Sequence, residues 1–244
     1  TVQEEIKSVE AAVPETALSA EEILLLQEMA EAGLLYGLNK SKTHPKMRPY
    51  IAATRSGVEV INLELTIKLL AKASEFLKSI PAGKKVLVVG TSPSCKFAVK
   101  EFADEVKMPY VNERWLGGTL TNFRALSERI RYYNKMIADR ESGVLKKYTK
   151  KERIMIDKKI EKMRLLFEGL STMSELPAAI LILDPEKNKI TVAEAKEAKI
   201  PVIGLVNTDL DPKFVDYIVT GNNRLTQSIV WILNHFKESF NKVV

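Results

Sequence analysis

The stretch Lys85-Val86-Leu87-Val88-Val89-Gly90 decides the fold class of this chain. Its apolar residues are consecutive rather than alternating, so the strand that they predict must be buried on both faces. Two later stretches share this property, residues 178–183 (AAILIL) and 201–206 (PVIGLV). Strands of this kind are typical of a parallel sheet covered by helices on both sides. The sequence therefore predicts a doubly wound α/β sheet.

Helical patterns and shorter strands surround these stretches. Apolar spacing predicts helices over residues 66–80, 94–106, 191–198 and 225–240, and short strands over 109–111 and 217–219. Ser19 and Glu22 form a capping-box pattern that begins a first helix, and Gly33 is well placed to end it. An irregular basic loop is predicted over residues 34–49, followed by a hairpin of residues 50–54 and 58–63.

The alternation of strands and helices is interrupted between residues 119 and 170. Apolar residues spaced three and four apart run through residues 123–137 and again through 156–170. A short polar turn separates the two series, and Thr149 with Glu152 forms a capping box at the start of the second. Two such seams predict an antiparallel coiled-coil hairpin that projects on the order of 30 Å.

These patterns divide the chain into three parts. Residues 1–18 are rich in Glu and lack apolar periodicity, which predicts an acidic disordered tail. Residues 19–118 and 171–244 are predicted to form the α/β domain, and residues 119–170 the coiled-coil hairpin inserted into it.

Positive charge is concentrated in two parts of the chain. The total is 37 Lys and Arg against 31 Asp and Glu. Residues 1–31 hold eight Glu and one Lys, whereas residues 32–58 hold five basic residues and no acid. Residues 122–170 hold fourteen basic and seven acidic residues. Two basic segments on a nearly neutral body indicate contact with a polyanion such as nucleic acid.

Composition excludes several other classes of protein. Cys95 is the single cysteine, which rules out a disulfide framework and a cysteine-rich zinc site. His44 and His235 have no partner at ligand spacing, so a histidine metal site is not expected. No apolar run approaches the roughly 20 residues of a membrane helix, and the acidic N-terminus shows no signal segment. We expect a cytoplasmic protein.

An enzymatic alternative rests on two loops at predicted strand ends. The loop from Gly90 to Ser94 lacks the phosphate-binding glycine patterns, and is interpreted as a strand-to-helix turn capped by Ser92 or Ser94. Asp209 and Asp211 follow a buried strand, where α/β enzymes place catalytic groups. Asp211 precedes Pro212, however, which predicts a helix cap. A nucleotide- or sugar-phosphate-handling enzyme therefore remains a second hypothesis, and a coiled-coil adaptor that binds only protein a third.

The most informative local string is RWLGGTLTN, at residues 114–122. Its glycine pair permits close backbone approach or a positive φ. The string precedes the predicted hairpin, and Thr119 to Asn122 offer caps for the first arm. We interpret it as a rigid elbow that aims the hairpin; a ligand loop beside the sheet is the alternative.

This string resembles the hallmark of ribosomal protein S2 of the bacterial-type small subunit. Other resembling motifs follow in the family's order: Glu31-Ala32-Gly33, Pro45-Lys46-Met47, Val60-Ile61-Asn62-Leu63-Glu64, residues 177–201 with Asp184 and Glu194, Asn207-Thr208-Asp209, Asp211-Pro212 and Gly221-Asn222. The chain departs from the family at Leu35, Leu38 and Thr43, where histidines and an aromatic are usual, so no metal is expected there. It also has Ser92-Pro93 where a basic residue is usual.

The resemblance implies a flavodoxin-like sheet with a coiled-coil hairpin and no catalytic activity. It implies a structural constituent of the small subunit that supports translation, sits between head and body, binds small-subunit ribosomal RNA and helps dock protein S1, the large mRNA-binding protein. Neighbouring small-subunit proteins are expected partners, and no membrane, small-molecule substrate or cofactor is expected. A structural Mg²⁺ at the RNA interface is left open.

Cationic residues of both basic segments are expected to neutralise RNA phosphates, with little base specificity. The predicted RNA-binding residues are Lys40, Lys42, Lys46, Arg48, Arg55, Arg114, Asn122, Arg124, Arg129, Arg131, Lys146, Lys147, Lys150 and Lys151.

Overall fold

The computed structural model describes residues 20–240. The predicted acidic tail and Ser19 lie outside the described residues. The elements are α1 (Ala20–Glu31), β1 (Tyr36–Asn39), β2 (Ile51–Arg55), β3 (Val58–Ile61), α2 (Leu63–Ser79), β4 (Val86–Val89), α3 (Lys96–Glu105), β5 (Tyr110–Val111), α4 (Phe123–Glu141), α5 (Lys150–Phe167), β6 (Ala179–Ile182), α6 (Lys189–Glu197), β7 (Val202–Val206), β8 (Tyr217–Thr220) and α7 (Thr226–Phe240).

A parallel sheet of five strands, in the order β5-β4-β6-β7-β8, forms the body. Its central pairing sets Val88 of β4 opposite Leu181 of β6 and, on the other side, opposite Tyr110 of β5. The prediction of a parallel α/β sheet is confirmed. This order is consistent with a flavodoxin-like fold, and it places the point where the strand order reverses between β4 and β6.

Two apolar cores cover the two faces of this sheet. Alternate residues of β4 face opposite cores: Val86 and Val88 pack with α2, α3 and α7, whereas Leu87 and Val89 pack with α4, α5 and α6. All four are fully buried, which is why the strand is apolar at every position. Burial on both faces thus ties α4 and α5 to the sheet through the second core.

A second, antiparallel sheet in the order β1-β3-β2 lies amino-terminal to the body. Residues 36–39 form β1, so the predicted irregular loop over residues 34–49 is wrong there. β1 pairs with β3, Tyr36 lying opposite Val60. A Cβ on Gly37 would come within 2.9 Å of the Glu59 carbonyl oxygen, so glycine permits this close approach. The predicted hairpin of β2 and β3 is confirmed, with Ser56 and Gly57 at positive φ.

Two long helices, α4 and α5, lie between β5 and β6 in the chain, and we call them the α4–α5 pair. A 3₁₀ turn, Val144–Lys147, is part of the segment that joins them. The predicted capping box is confirmed, since Thr149 accepts from the Glu152 amide while the Glu152 carboxylate accepts from Thr149. The rings of Tyr133 and Phe167 meet at a centroid distance of 6.2 Å. The coiled-coil form of this pair stays a prediction.

Candidate nucleic-acid interface

The elbow, residues 114–122, is tied to the body by one carboxylate. Glu194 of α6 is buried, and its Oε1 accepts hydrogen bonds from Trp115 Nε1 at 3.0 Å and from the Gly118 amide at 2.9 Å. Its Oε2 accepts from the Leu120 amide at 3.0 Å. Three donors from the elbow thus converge on one side chain, which supports the interpretation of a rigid elbow.

The elbow also contains local constraints of its own. Gly118 has a φ of +86°, a conformation that favours glycine. The buried Thr119 hydroxyl donates to the Leu116 carbonyl at 2.6 Å. Asn122 occupies the N-cap position of α4, within the predicted range from Thr119 to Asn122, but its side chain makes no capping bond. The exposed side-chain amide of Asn122 therefore takes no part in capping α4.

The other end of the α4–α5 pair returns to the body through a close backbone approach. A Cβ on Gly169 would lie 2.3 Å from the carbonyl oxygen of Tyr110 in β5, so only glycine fits without movement. Beside it, Lys100 of α3 forms an ion pair with Glu168 at 3.2 Å. Both ends of the pair are therefore attached to the body by specific contacts, at α6 and at β5.

The cations predicted from the first basic segment lie on and around the small antiparallel sheet. Lys40, Lys42, Arg48 and Arg55 are exposed. Lys46 is also exposed, but it forms an ion pair with Asp211. The hydrogen bond from Lys46 and a second one from the Lys213 amide hold the pKa of the Asp211 carboxyl below its ordinary value. The carboxylate of Asp211 thus neutralises part of the positive charge of Lys46 within the protein.

The remaining predicted cations, Arg114 and those of the second basic segment, lie at the two ends of the α4–α5 pair and along α4. Arg114 and Arg124 lie at the elbow end, where Arg124 is 4.0 Å from Glu128. Lys146, Lys147, Lys150 and Lys151 lie around the turn that joins α4 to α5. Arg129 and Arg131 lie on α4 between the two ends, and both are exposed. The predicted cations thus form three groups, one on and around the small sheet, one at the elbow (the elbow group) and one at the turn (the turn group), while Arg129 and Arg131 lie between the last two.

At the crevice between β4 and β6, where enzymes of this architecture bind ligands, polar side chains bond to one another. The Ser92 hydroxyl bonds to the buried Asp184 carboxylate at 2.5 Å, and Lys187 Nζ donates to Ser92 Oγ at 3.3 Å. Asn223 Nδ2 lies 3.5 Å from the other Asp184 oxygen. The prediction that Ser92 or Ser94 caps α3 is wrong, because Cys95 holds the N-cap position without a side-chain bond.

Asp209 does not form a catalytic pair with Asp211. Asp209 forms an ion pair with Arg224 at 3.4 Å, and burial raises the pKa of the Asp209 carboxyl. Asp211 instead accepts from the Lys213 amide at 3.0 Å, which confirms the predicted helix cap. Burial likewise raises the pKa of the Cys95 thiol, which disfavours the reactive thiolate.

Three features of the described residues bear on a metal, membrane or ligand-binding function: clusters of metal-binding side chains, membrane-spanning helices and cavities. Across residues 20–240, no group of three or more His, Cys, Asp or Glu side chains is placed to bind a metal ion. Within the same range, no helix is long and apolar enough to span a membrane. A surface depression of about 410 Å³ lies between α2 and α7, away from the strand ends where a doubly wound enzyme would bind its ligand.

Three contributors to this architecture were not predicted as site residues: Glu194, Lys187 and Gly169. Glu194 gives a signal in the sequence, because it falls among Thr191, Val192 and Ala195 on the buried face of α6. A carboxylate at such a position must be paired or hydrogen-bonded. Lys187 lies three residues from Asp184, but its other partner, Ser92, and the Tyr110 carbonyl beside Gly169 are far away in the chain.

The described residues thus form a doubly wound α/β protein with a helical pair inserted between β5 and β6. The family model described as Ribosomal protein S2 matches residues 29–242. A protein of Roseiflexus sp. (strain RS-1) called small ribosomal subunit protein uS2 is 39% identical over 211 residues, covering 86% of this chain and 80% of the relative. The protein of the same name from onion yellows phytoplasma (strain OY-M) is 38% identical over 215 residues, with 86% and 79% covered.

The chain belongs to the ribosomal protein S2 family. The predicted resemblance is confirmed over most of the chain. It is a ribosomal protein with a structural role in translation and not an enzyme, so the enzymatic hypothesis is set aside.

Proposed function

We propose that this chain is a component of the small ribosomal subunit that lies between head and body and binds small-subunit ribosomal RNA. The observation that carries the RNA contact is the exposure of the predicted cations. Every one of them whose side chain the structure describes is exposed to solvent. Exposed lysine and arginine can reach phosphates without first breaking a packed core.

The three groups of cations can contact RNA phosphates at three different places on the protein. The first basic segment presents cations from the small sheet, and the elbow group presents Arg114 and Arg124 beside the neutral Asn122. The turn group lies at the far end of α4, about 28 Å away for its 19 residues at 1.5 Å each. Contacts this far apart suit recognition of RNA shape rather than of one base. Neutralising several phosphates at once releases counterions and strengthens binding at low salt.

We also propose that the α4–α5 pair is an antiparallel coiled-coil hairpin inserted into the α/β domain, whose apolar seam continues into the second core of the sheet. Leu126, Ile130 and Tyr133 of α4 are buried, as are Ile160 and Phe167 of α5. These residues belong to the predicted apolar seams, as knobs in a coiled coil would.

The test reverses the charges of the described turn lysines, with the variant Lys147→Glu, Lys150→Glu, Lys151→Glu. We expect weaker co-sedimentation with the small subunit at moderate salt. Each lost phosphate contact should make the slope of log K against log salt shallower by about 0.7 to 0.9. Unchanged incorporation would contradict a role for the turn group.

A matched control separates contact from total charge. Lys68, Lys72 and Lys78 are exposed on α2, outside both basic segments, and their reversal to Glu changes the net charge equally. We expect little loss of subunit binding in this control. Equal weakening of both variants would show that long-range charge, and not contact at the turn, accounts for the binding.

Docking of protein S1 belongs to the same proposal and rests on the family resemblance. Small subunits assembled with this chain should retain S1 in a gradient, whereas subunits that lack the chain should not. Equal retention of S1 by both would remove this part of the proposal.

A further inference from the structure

We propose that Glu194 is the positioning residue of the RNA-binding surface: its carboxylate fixes the direction in which the α4–α5 pair leaves the body. The value of a fixed direction for RNA binding rests on the function proposed above. The fixing of the direction itself rests only on the contacts of the elbow, and it is measured without RNA.

The chemistry of the contact calls for a carboxylate. Three donors, Trp115 Nε1 and the amides of Gly118 and Leu120, point at one side chain that is 8% exposed. An ionised carboxylate offers only acceptor sites, about four of them on two oxygens. Hydrogen bonds to a charged acceptor are also roughly twice as strong as bonds between neutral groups.

The helix that carries this carboxylate is well anchored. Val192 and Ala195, on either side of Glu194 in α6, have no exposed surface and pack in the core under the sheet. The Glu194 carbonyl accepts from the Ala198 amide at 2.9 Å, within the last turn of the helix. Glu194 therefore connects the elbow to a fixed part of the body, not to another loop.

The contact between Glu194 and the elbow lies just before α4 begins, so a small rotation there moves the far end of α4 by a larger distance. Leu120, the last residue held by Glu194, is followed after two residues by Phe123, where α4 begins. At the length of α4, a rotation of about 10° at the elbow displaces the far end by about 5 Å. An ion pair requires its nitrogen and oxygen within about 4 Å. A loose elbow would leave only the Gly169 junction and the second core to hold the pair, so the turn group and the elbow group would engage one RNA together less often.

The test substitution is Glu194→Gln, which preserves the size of the side chain. A carboxamide keeps one oxygen and replaces the other with an NH₂ group, which would face an elbow donor. At least one buried N–H then lacks an acceptor, and the elbow has reason to open toward water. The matched control is Glu197→Gln, the same chemical change one turn further along α6, at an exposed position.

The first measurement is a distance distribution in the free protein. Spin labels at Glu141→Cys, by the turn end of α4, and Glu101→Cys, on α3, report the direction of the pair; the native Cys95 is buried. We expect a narrow distribution in the unsubstituted and Glu197→Gln backgrounds and a broader one with Glu194→Gln. An equally narrow distribution with Glu194→Gln overturns the proposal.

The second measurement is the salt dependence of binding to small-subunit ribosomal RNA. Loss of simultaneous contact should make the slope shallower by about one to three in Glu194→Gln and leave it unchanged in Glu197→Gln. Simple destabilisation would lower the amount of active protein without changing the slope. An unchanged slope in Glu194→Gln overturns the role in RNA binding.

Two further results are informative. If the unsubstituted protein binds no ribosomal RNA, the proposed function fails, and the distance distribution alone decides whether Glu194 fixes the direction. If Glu194→Gln does not fold, Trp115→Phe removes one donor and keeps the carboxylate. A broader distribution in that variant supports the proposal, and an unchanged one contradicts it.

Discussion

Replacing Gly169 with alanine should destabilise the junction where the α4–α5 pair returns to the sheet. The added Cβ would lie 2.3 Å from the Tyr110 carbonyl oxygen and 2.7 Å from a carbon of its ring. Tyr110 cannot retreat freely, because β5 is paired with β4 and the Val88 amide donates to the Pro109 carbonyl at 3.0 Å. The backbone must therefore shift by about an ångström, and overpacking of this kind typically costs about 1–3 kcal/mol.

The net effect is smaller than that cost, because alanine also restricts the unfolded chain. That restriction stabilises by about 0.4–1 kcal/mol, which leaves a net loss of about 1–2 kcal/mol. For a chain of this size the melting temperature should fall by about 2–8 °C. In urea we expect a lower midpoint with an unchanged m value, since the surface exposed on unfolding is the same.

The matched control for this prediction is Gly117→Ala in the elbow. No heavy atom lies within 4 Å of the Cβ that this substitution adds. Its unfolding midpoint should stay at or slightly above that of the unsubstituted protein. If Gly169→Ala and Gly117→Ala unfold at the same urea concentration, the close approach to Tyr110 is not rigid and the reasoning is refuted.

Two other substitutions test local contacts by equilibrium unfolding. Asn62→Ala removes the cap of α2, in which Asn62 Oδ1 accepts from the Leu65 amide at 3.2 Å, and should cost about 1 kcal/mol; no loss would contradict the cap. Asp209→Asn should raise stability at neutral pH, because burial raises the pKa of this carboxyl and disfavours its charged form. Stability from such a group is present below its ordinary pKa of 3.8 and is lost as the pH rises through the folded pKa, so the gain should vanish near pH 3. A gain that persists there would contradict burial as the cause.

The parallel sheet could be predicted from the sequence because its signal is local. Each of β4, β6 and β7 is a short apolar run. Because these strands are buried on both faces, polar side chains are disfavoured at every position. The capping box of Thr149 and Glu152 was predicted for the same reason, since its partners are three residues apart.

Features that depend on distant partners could not be predicted in this way. β1 has the sequence YGLN, with low strand propensity, and it forms because β3 offers it a pairing edge. The Ser92 hydroxyl could cap a helix, but it forms a hydrogen bond with the Asp184 carboxylate instead, 92 positions away in the chain. The candidate cations were identified as a set by charge, whereas their division into three groups follows from the length of the α4–α5 pair.

The position of the α4–α5 pair in the chain has a consequence for how the protein is made. β4 and β6 are neighbours in the sheet, yet about 90 residues must be synthesised between them, which takes roughly 5–20 s at typical rates of translation. Throughout that interval the backbone N–H and C=O groups on one edge of β4 have no strand to pair with. The newly made polypeptide is thus most vulnerable to aggregation while the ribosome is still translating the helical insertion.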